Sequence, residues 1–169
     1  MIEVVRATEE YQRAGAYYVR IQAMARAYGI SLREEFDAHD GPGCRYIVLL
    51  EDGFPVATCR WFPIESSAEQ KTQKTGEFRD GILPEGSVEI GRVVVLPEYR
   101  GQRLGERAVL EAEKWIAEEG FTRIAVSARK GVEGFYEKLG YTYNDRYSAH
   151  NYTFACTYME KHLTQAGTS

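Results

Sequence analysis

The chain has 169 residues, a formal net charge of −4, 27% charged residues and 44% hydrophobic residues. That length suits one domain with a substantial core, and the acidic balance gives no electrostatic reason to bind nucleic acid. Cys44, Cys59 and Cys156 are far apart and lack metal-ligand spacing, the start shows no signal sequence and no apolar run spans a bilayer, so a reduced cytoplasmic protein is expected.

Ile2 to Val5 predicts a first strand, and Thr8-Glu9-Glu10 a helix start with acids in its first turn. Tyr11, Ala14, Tyr18, Ile21, Ala25 and Tyr28 recur at three and four, which predicts one buried helical face ended by Gly29. Ser31 caps a short second helix through Phe36, and Asp40-Gly41-Pro42-Gly43 breaks the chain. The acids Glu34, Glu35, Asp37 and Asp40 read first as a solvated face, with attraction of a cationic acceptor as the alternative.

Cys44 to Glu51 and Pro55 to Ile64 predict strands of an antiparallel hairpin around Glu51-Asp52-Gly53. The polar stretch from Glu65 to Gly86 is longer than a routine connection and reads as a functional or mobile loop. Ser87 to Val95 is the next strand, and Arg103 to Glu119 a helix with Leu104, Ala108, Val109, Ala112, Trp115 and Ile116 facing inward and Gly120 at its close. A strand over Thr122 to Ser127 completes a βαβ unit, which implies parallel strands and a right-handed crossover. A short helix over Gly131 to Leu139, strands over Tyr141 to Asn144 and Tyr152 to Lys161, and a disordered tail from Thr164 follow. The pattern is α+β: one domain over residues 1–163, with a mostly antiparallel twisted sheet flanked by helices on both faces.

The most informative segment joins the apolar strand Val93-Val94-Val95-Leu96 to a helix through Pro97-Glu98-Tyr99-Arg100-Gly101-Gln102-Arg103. A helix entered through a glycine turn has unpaired N–H groups and a positive dipole end, which favour a phosphate-bearing ligand. No Gly-Lys-Ser/Thr follows, so a P-loop is not expected, and Gly101 and Gly105 alone do not make a dinucleotide fingerprint.

Two segments resemble the GNAT N-acetyltransferase superfamily, which uses acetyl-coenzyme A. Arg100-Gly101-Gln102-Arg103-Leu104-Gly105 matches the first and last positions of its pyrophosphate signature, Gln/Arg-x-x-Gly-x-Gly/Ala, with Arg103 in place of the middle glycine. Gly134-Phe135-Tyr136-Glu137-Lys138-Leu139-Gly140-Tyr141 resembles its Phe-Tyr-x-x-x-Gly-Phe segment, while the asparagine and alanine usual ahead of it fall on Arg129 and Val132. The stretch from Arg20 to Asp40 and the end, Cys156 to Lys161, are similar to the bacterial ElaA-like branch.

The resemblance implies a GNAT-like fold, a pyrophosphate held by Arg100, Gly101, Gln102, Arg103, Leu104 and Gly105, and a pantetheine arm beside the backbone of Val93, Val94 and Val95. Acetyl transfer to an amine needs a base, because an alkylammonium with a pKa of about 10.4 cannot attack at neutral pH. Glu89 is the leading base: alternation puts it on one strand face with Gly91, Val93 and Val95, about 20 Å from Val95 at the usual strand rise. Some family members also place a glutamate eleven residues before the signature, which is position 89 here. The plainer reading makes Glu89 a half-exposed strand acid paired with a basic neighbour.

Tyr136 is the matched candidate to protonate the departing thiolate, although composition alone would make it core. Tyr141, Tyr143, Tyr147 and Tyr152 line an acceptor pocket or simply pack strands. His39, His150 and His162 are scattered, so no metal is expected. The reading is an N-acetyltransferase that moves an acetyl group from acetyl-coenzyme A to a primary amine by direct attack, since no cysteine-histidine pair offers a covalent relay. A small-molecule or peptide amine is the expected partner, without nucleic acid or membrane and with a homodimer left open. The alternative is a non-catalytic acyl-coenzyme A sensor on the same fold.

Overall fold

The computed structural model describes residues 1–64, 77–80, 83–84, 86–151 and 154–164. The chain divides into two compact units, one formed by Met1–Phe62 with Ile90–Trp115, the other by Pro63–Glu89 with Ile116–Ser169. Its strands are β1 (Ile2–Arg6), β2 (Arg45–Glu51), β3 (Phe54–Pro63), β4 (Glu77–Asp80), β5 (Ser87–Val95), β6 (Arg123–Arg129), β7 (Thr142–Tyr143), β8 (Ser148–Asn151) and β9 (Cys156–His162). Its α-helices are α1 (Glu10–Arg20), α2 (Leu32–Glu35), α3 (Leu104–Glu118) and α4 (Glu133–Lys138). All the strands except β4 and β8 belong to a mixed, mostly antiparallel seven-stranded sheet flanked by helices.

In the first unit, β1 pairs antiparallel with β2 and β2 with β3, so the expected hairpin forms. Its turn is tight because Asp52 and Gly53 both take positive φ, 49° and 85°, the backbone of a two-residue hairpin loop. Ala7, Ala16, Cys44, Tyr46, Val48 and Phe62 form a core cluster with Tyr17 and Leu50 packed against it. Helix α3 buries Leu104, Ala108, Val109 and Ala112 as its periodicity predicts, with Trp115 half-buried. Trp115 meets Trp61 edge-on at 5.7 Å, and Arg6 spans the same helix by an ion pair to Glu111 at 2.7 Å. These contacts fix the axis of α3 and therefore the direction of its N-terminus.

Helix α1 corrects the expected face. Tyr11 and Tyr28 are exposed, whereas Ala16, Val19, Arg20 and Ala23 are buried. Two physical causes combine: Arg20 is a buried charge that a hydrophobic count assigns to solvent, and the helix passes at Ile21–Arg26 into a π-turn that shifts the register of everything beyond it. Gly29 ends the helix with φ 67°, and Ser31 Oγ accepts from Glu34 N at 3.2 Å to cap α2, both as expected.

In the second unit, β9 pairs antiparallel with β6 and β7, and β4 pairs antiparallel with β8. Ile64, Leu83, Ala125, Ala149 and Tyr158 form its core cluster. The stretch read as one long loop thus contains β4, and the last predicted strand is replaced by β8 and a β9 that starts at Cys156. Short polar strands such as Ser148–Asn151 lack an apolar alternation, so only their pairing reveals them. Residues 65–76 of that loop and 165–169 of the tail lie outside the described residues. Glu160 gathers this unit's polar groups, accepting from Arg123 at 2.9 Å, Asn144 at 3.0 Å and Tyr158 at 3.1 Å.

Candidate functional site

The cofactor-binding candidates, Val93 to Val95 and Arg100 to Gly105, all fall in the first unit. Strand β5 ends as Leu96 N donates to Val56 O at 2.9 Å, and a short 3₁₀ turn over Pro97–Tyr99 leads to Arg100. Gly101 then takes φ 83° and Arg103 φ 59°. Arg103 therefore adopts a left-handed backbone that glycine would take without strain, at a cost of about 1–2 kcal/mol for a residue with a Cβ. The turn survives the replacement, and its shape is the one that glycines favour.

The Arg103 carbonyl accepts from Arg107 N at 3.1 Å and so opens α3, which leaves the N–H groups at the start of this 15-residue helix directed out of its N-terminus. Arg100, Gly101, Gln102, Arg103 and Arg107 are exposed, and Leu104 is buried as the anchor. Among the described residues, the side chains of Arg100, Arg103 and Arg107 make no hydrogen bond or ion pair. Cations at a helix N-terminus are electrostatically unfavourable by themselves. Three unengaged guanidiniums beside outward N–H groups suit a multiply charged phosphate, so the residues present fit a pyrophosphate. Arg107 joins this exposed set although the sequence did not single it out.

Along β5, Val94 is buried while Val93 and Val95 are half-buried. Arg92 has φ 49° within the strand. This left-handed residue interrupts the period of two, so the uninterrupted common face from Glu89 to Val95 is not formed.

Glu89 and Tyr136 fall in the second unit. Glu89 is 1% exposed, so the half-exposed strand acid of the plainer reading is excluded. Tyr136 is buried in α4, packed edge-on against Phe135 at 5.0 Å and Tyr141 at 5.6 Å, and its carbonyl accepts from Leu139 N and Tyr141 N. Tyr141 is thus a core side chain and Tyr147 packs on Tyr158, while Tyr143 is exposed and Tyr152 lies outside the described residues. His39 stacks on Phe62 at 3.9 Å.

The acidic run departs most from expectation. Glu34 is exposed, but Glu35 is 3% exposed, and the Asp37 and Asp40 side chains are similarly enclosed. Arg20 donates to Asp40 Oδ1 at 2.8 Å and to Glu35 Oε1 at 3.1 Å; Arg60 grips Asp37 through two bonds of 2.8 Å; Arg92 reaches Asp37 Oδ2 at 3.3 Å. Tyr46 adds a hydrogen bond to Asp40 at 2.7 Å. Burial pushes the Asp40 and Asp37 carboxyls up, but hydrogen bonds and charge from Arg20 and Arg60 at Asp40, and from Arg60 and Arg92 at Asp37, outweigh it and hold both below the usual range. Each of these three acids, Glu35, Asp37 and Asp40, is already paired with at least one arginine, so the cluster is structural and leaves none of the three carboxylates unpaired for a cationic acceptor. A signal was present: Arg60 sits inside the apolar run Val56 to Phe62, where only a partnered charge can be buried.

Comparison with known proteins decides the class. A sequence model described as the acetyltransferase (GNAT) family matches residues 5–141. The chain belongs to that family. A crystal structure from Lactobacillus plantarum, named as a candidate N-acetyltransferase, is 25% identical, with a TM-score of 0.74 over 96% of this chain and 99% of that one. ElaA of Escherichia coli shares the fold at 17% identity, with a TM-score of 0.65 over 95% and 99% of the two chains. A GNAT acetyltransferase of Brucella melitensis in complex with acetyl-CoA shares it at 16% identity, with a TM-score of 0.63 over 90% and 88%. The expected fold and enzyme class are therefore correct. No helix among the described residues is long and apolar enough to cross a membrane.

Proposed function

We propose that this GNAT protein transfers the acetyl group of acetyl-coenzyme A to the nitrogen of a primary amine by direct attack, as one domain over residues 1–163 working in the cytoplasm. The observation that carries the reading is the turn before α3. It holds left-handed residues at Gly101 and Arg103 and the exposed, unengaged arginines Arg100, Arg103 and Arg107 at the N-terminus of a long helix. Arg100, Gly101, Gln102, Arg103, Leu104 and Gly105 would hold the pyrophosphate through backbone N–H groups and guanidiniums. The backbone of Val93 to Val95 would run beside the pantetheine arm, and one N–H there would face the thioester oxygen.

Acetyl-coenzyme A supplies an activated thioester. The buried Glu89 carboxylate takes the proton that an alkylammonium must lose before its nitrogen attacks the carbonyl carbon. As the carbon–nitrogen bond forms and the carbon–sulfur bond breaks, the Tyr136 hydroxyl gives its proton to the departing thiolate. Each proton transfer is worth about a hundred to ten thousand-fold in rate.

The test is an acceptor screen that follows free thiol release, repeated with Glu89→Gln and Tyr136→Phe. Release with a primary amine, reduced about a hundredfold or more in kcat by either substitution with the acetyl-coenzyme A KM little changed, is the expected result. Tight binding of acetyl-coenzyme A without release for any amine would establish a sensor instead. Release that neither substitution slows would remove both residues from the mechanism.

A further inference from the structure

Arg92 is the residue of β5 whose conformation a sequence of this kind should avoid. Its φ of 49° lies in the left-handed region, where a residue with a Cβ is strained and glycine is not. Gly91 stands immediately before it with no left-handed φ, so the strand places its kink on the arginine and not on the neighbouring glycine. Strain of this sort persists only where the surroundings enforce it.

The enforcing contacts lie on a different segment. Arg92 Nε donates to the backbone carbonyl of Glu35 at 3.2 Å and stands 3.7 Å from the Glu35 carboxylate, and Nη2 donates to Asp37 Oδ2 at 3.3 Å. The Arg92 side chain is 13% exposed, and those of Glu35 and Asp37 are 4% and 8% exposed. Neither acid can follow a displaced Arg92, because Arg20 holds Glu35 by its carboxylate and carbonyl, and Arg60 holds Asp37 with a two-pronged grip. The guanidinium fork is thus fixed at both prongs by groups that are themselves fixed.

We propose that Arg92 is a positioning residue: clamped by Glu35 and Asp37, it holds the left-handed kink of β5 and thereby sets the direction in which the Val93 to Val95 backbone presents its N–H and C=O groups to acetyl-coenzyme A. The proposal rests on the cofactor reading given above. A kink one residue upstream of Val93 determines which way each following peptide faces, so loosening it misaligns the hydrogen bonds that strand offers. The cluster then serves two ends, cancelling the buried charge and carrying the rigidity of the segment around α2 into the cofactor strand.

Two substitutions separate the side chain from the backbone. Arg92→Gly permits the kink without strain but removes the clamp; Arg92→Lys keeps the charge but has no planar fork to reach both partners. Hydrogen exchange of the Val93 to Val95 amides in the free protein, thermal melting, acetyl-coenzyme A binding by calorimetry, and KM and kcat would be measured for each. The expected result is faster exchange at these amides and an acetyl-coenzyme A dissociation constant raised about fivefold to tenfold in a lysine variant that stays folded, the loss of roughly one well-made hydrogen bond. The acetyl-coenzyme A KM should follow the dissociation constant, with kcat changing less. If Arg92→Gly fails to fold, Arg92→Lys decides alone. Unchanged exchange and affinity in a folded variant of either kind would overturn the proposal. A wild-type protein that does not bind acetyl-coenzyme A would overturn the cofactor reading instead, and amide exchange would still show whether the clamp holds the kink.

Discussion

The first unit contains two sets of three arginines used in opposite ways. Arg20, Arg60 and Arg92 are enclosed and committed to Glu35, Asp37 and Asp40, whereas Arg100, Arg103 and Arg107 are exposed at the mouth of α3 with no side-chain partner among the described residues. The two sets show that arginine by itself predicts neither structure nor binding. A buried guanidinium needs a carboxylate close to one for one, because an unpaired charge in the interior costs several kcal/mol. An exposed guanidinium at the positive end of a helix gains nothing from the fold and is best accounted for by an anion from outside.

The contrast breaks first where the buried set loses an anion. Asp40→Ala leaves Arg20 without its main partner and removes an acceptor of Arg60 and Tyr46, so a stability loss of about 3–5 kcal/mol is expected from chemical denaturation. A loss below about 1 kcal/mol would mean that the cluster is no more than a surface network. The exposed set should behave in reverse. Arg100→Ala or Arg103→Ala should shift stability by no more than about 0.5 kcal/mol and weaken acetyl-coenzyme A binding about tenfold, the worth of a charge-assisted contact. Raising salt should weaken this binding severalfold while leaving the buried cluster nearly untouched, since screening reaches exposed charges and not enclosed ones.

Acid separates the sets again. Folding lowers the Asp37 and Asp40 pKa values, so as pH falls the unfolded chain takes up protons first. Their contribution to stability is complete above the ordinary aspartate value of about 3.9 and declines below it, which a series of denaturation curves from neutral pH downward would record. Asp40→Asn should flatten that decline. The smallest effect is expected at the turn: Arg103→Gly releases about 1–2 kcal/mol of left-handed strain but gives up about 0.5–1 kcal/mol to glycine's unfolded-state freedom. Stability should therefore rise by roughly half a kcal/mol while acetyl-coenzyme A binding falls as it does for Arg103→Ala.

Much of the fold was legible because local rules and tertiary packing agreed. The hairpin around Asp52-Gly53, the Ser31 cap, β5 and the buried stripe of α3 are each encoded by residues next to one another. Helix α1 was misread because its apolar count favoured tyrosines whose size and hydroxyl suit the surface, while its true face includes a charge. Strands β4 and β8 were missed because they are short and polar, and such strands are specified by their partners.

The sequence by itself determined the family and the strand-turn-helix for which a phosphate ligand is proposed, since a strand, a glycine turn and an amphipathic helix are written in contiguous residues. Only the tertiary structure decided which charges are structural. Glu35, Asp37 and Asp40 read as a solvated run until Arg20, Arg60 and Arg92 arrive from three other segments. Pairing across such separations leaves no local pattern, because the free energy that permits burial comes from the partner and not from the neighbour in sequence.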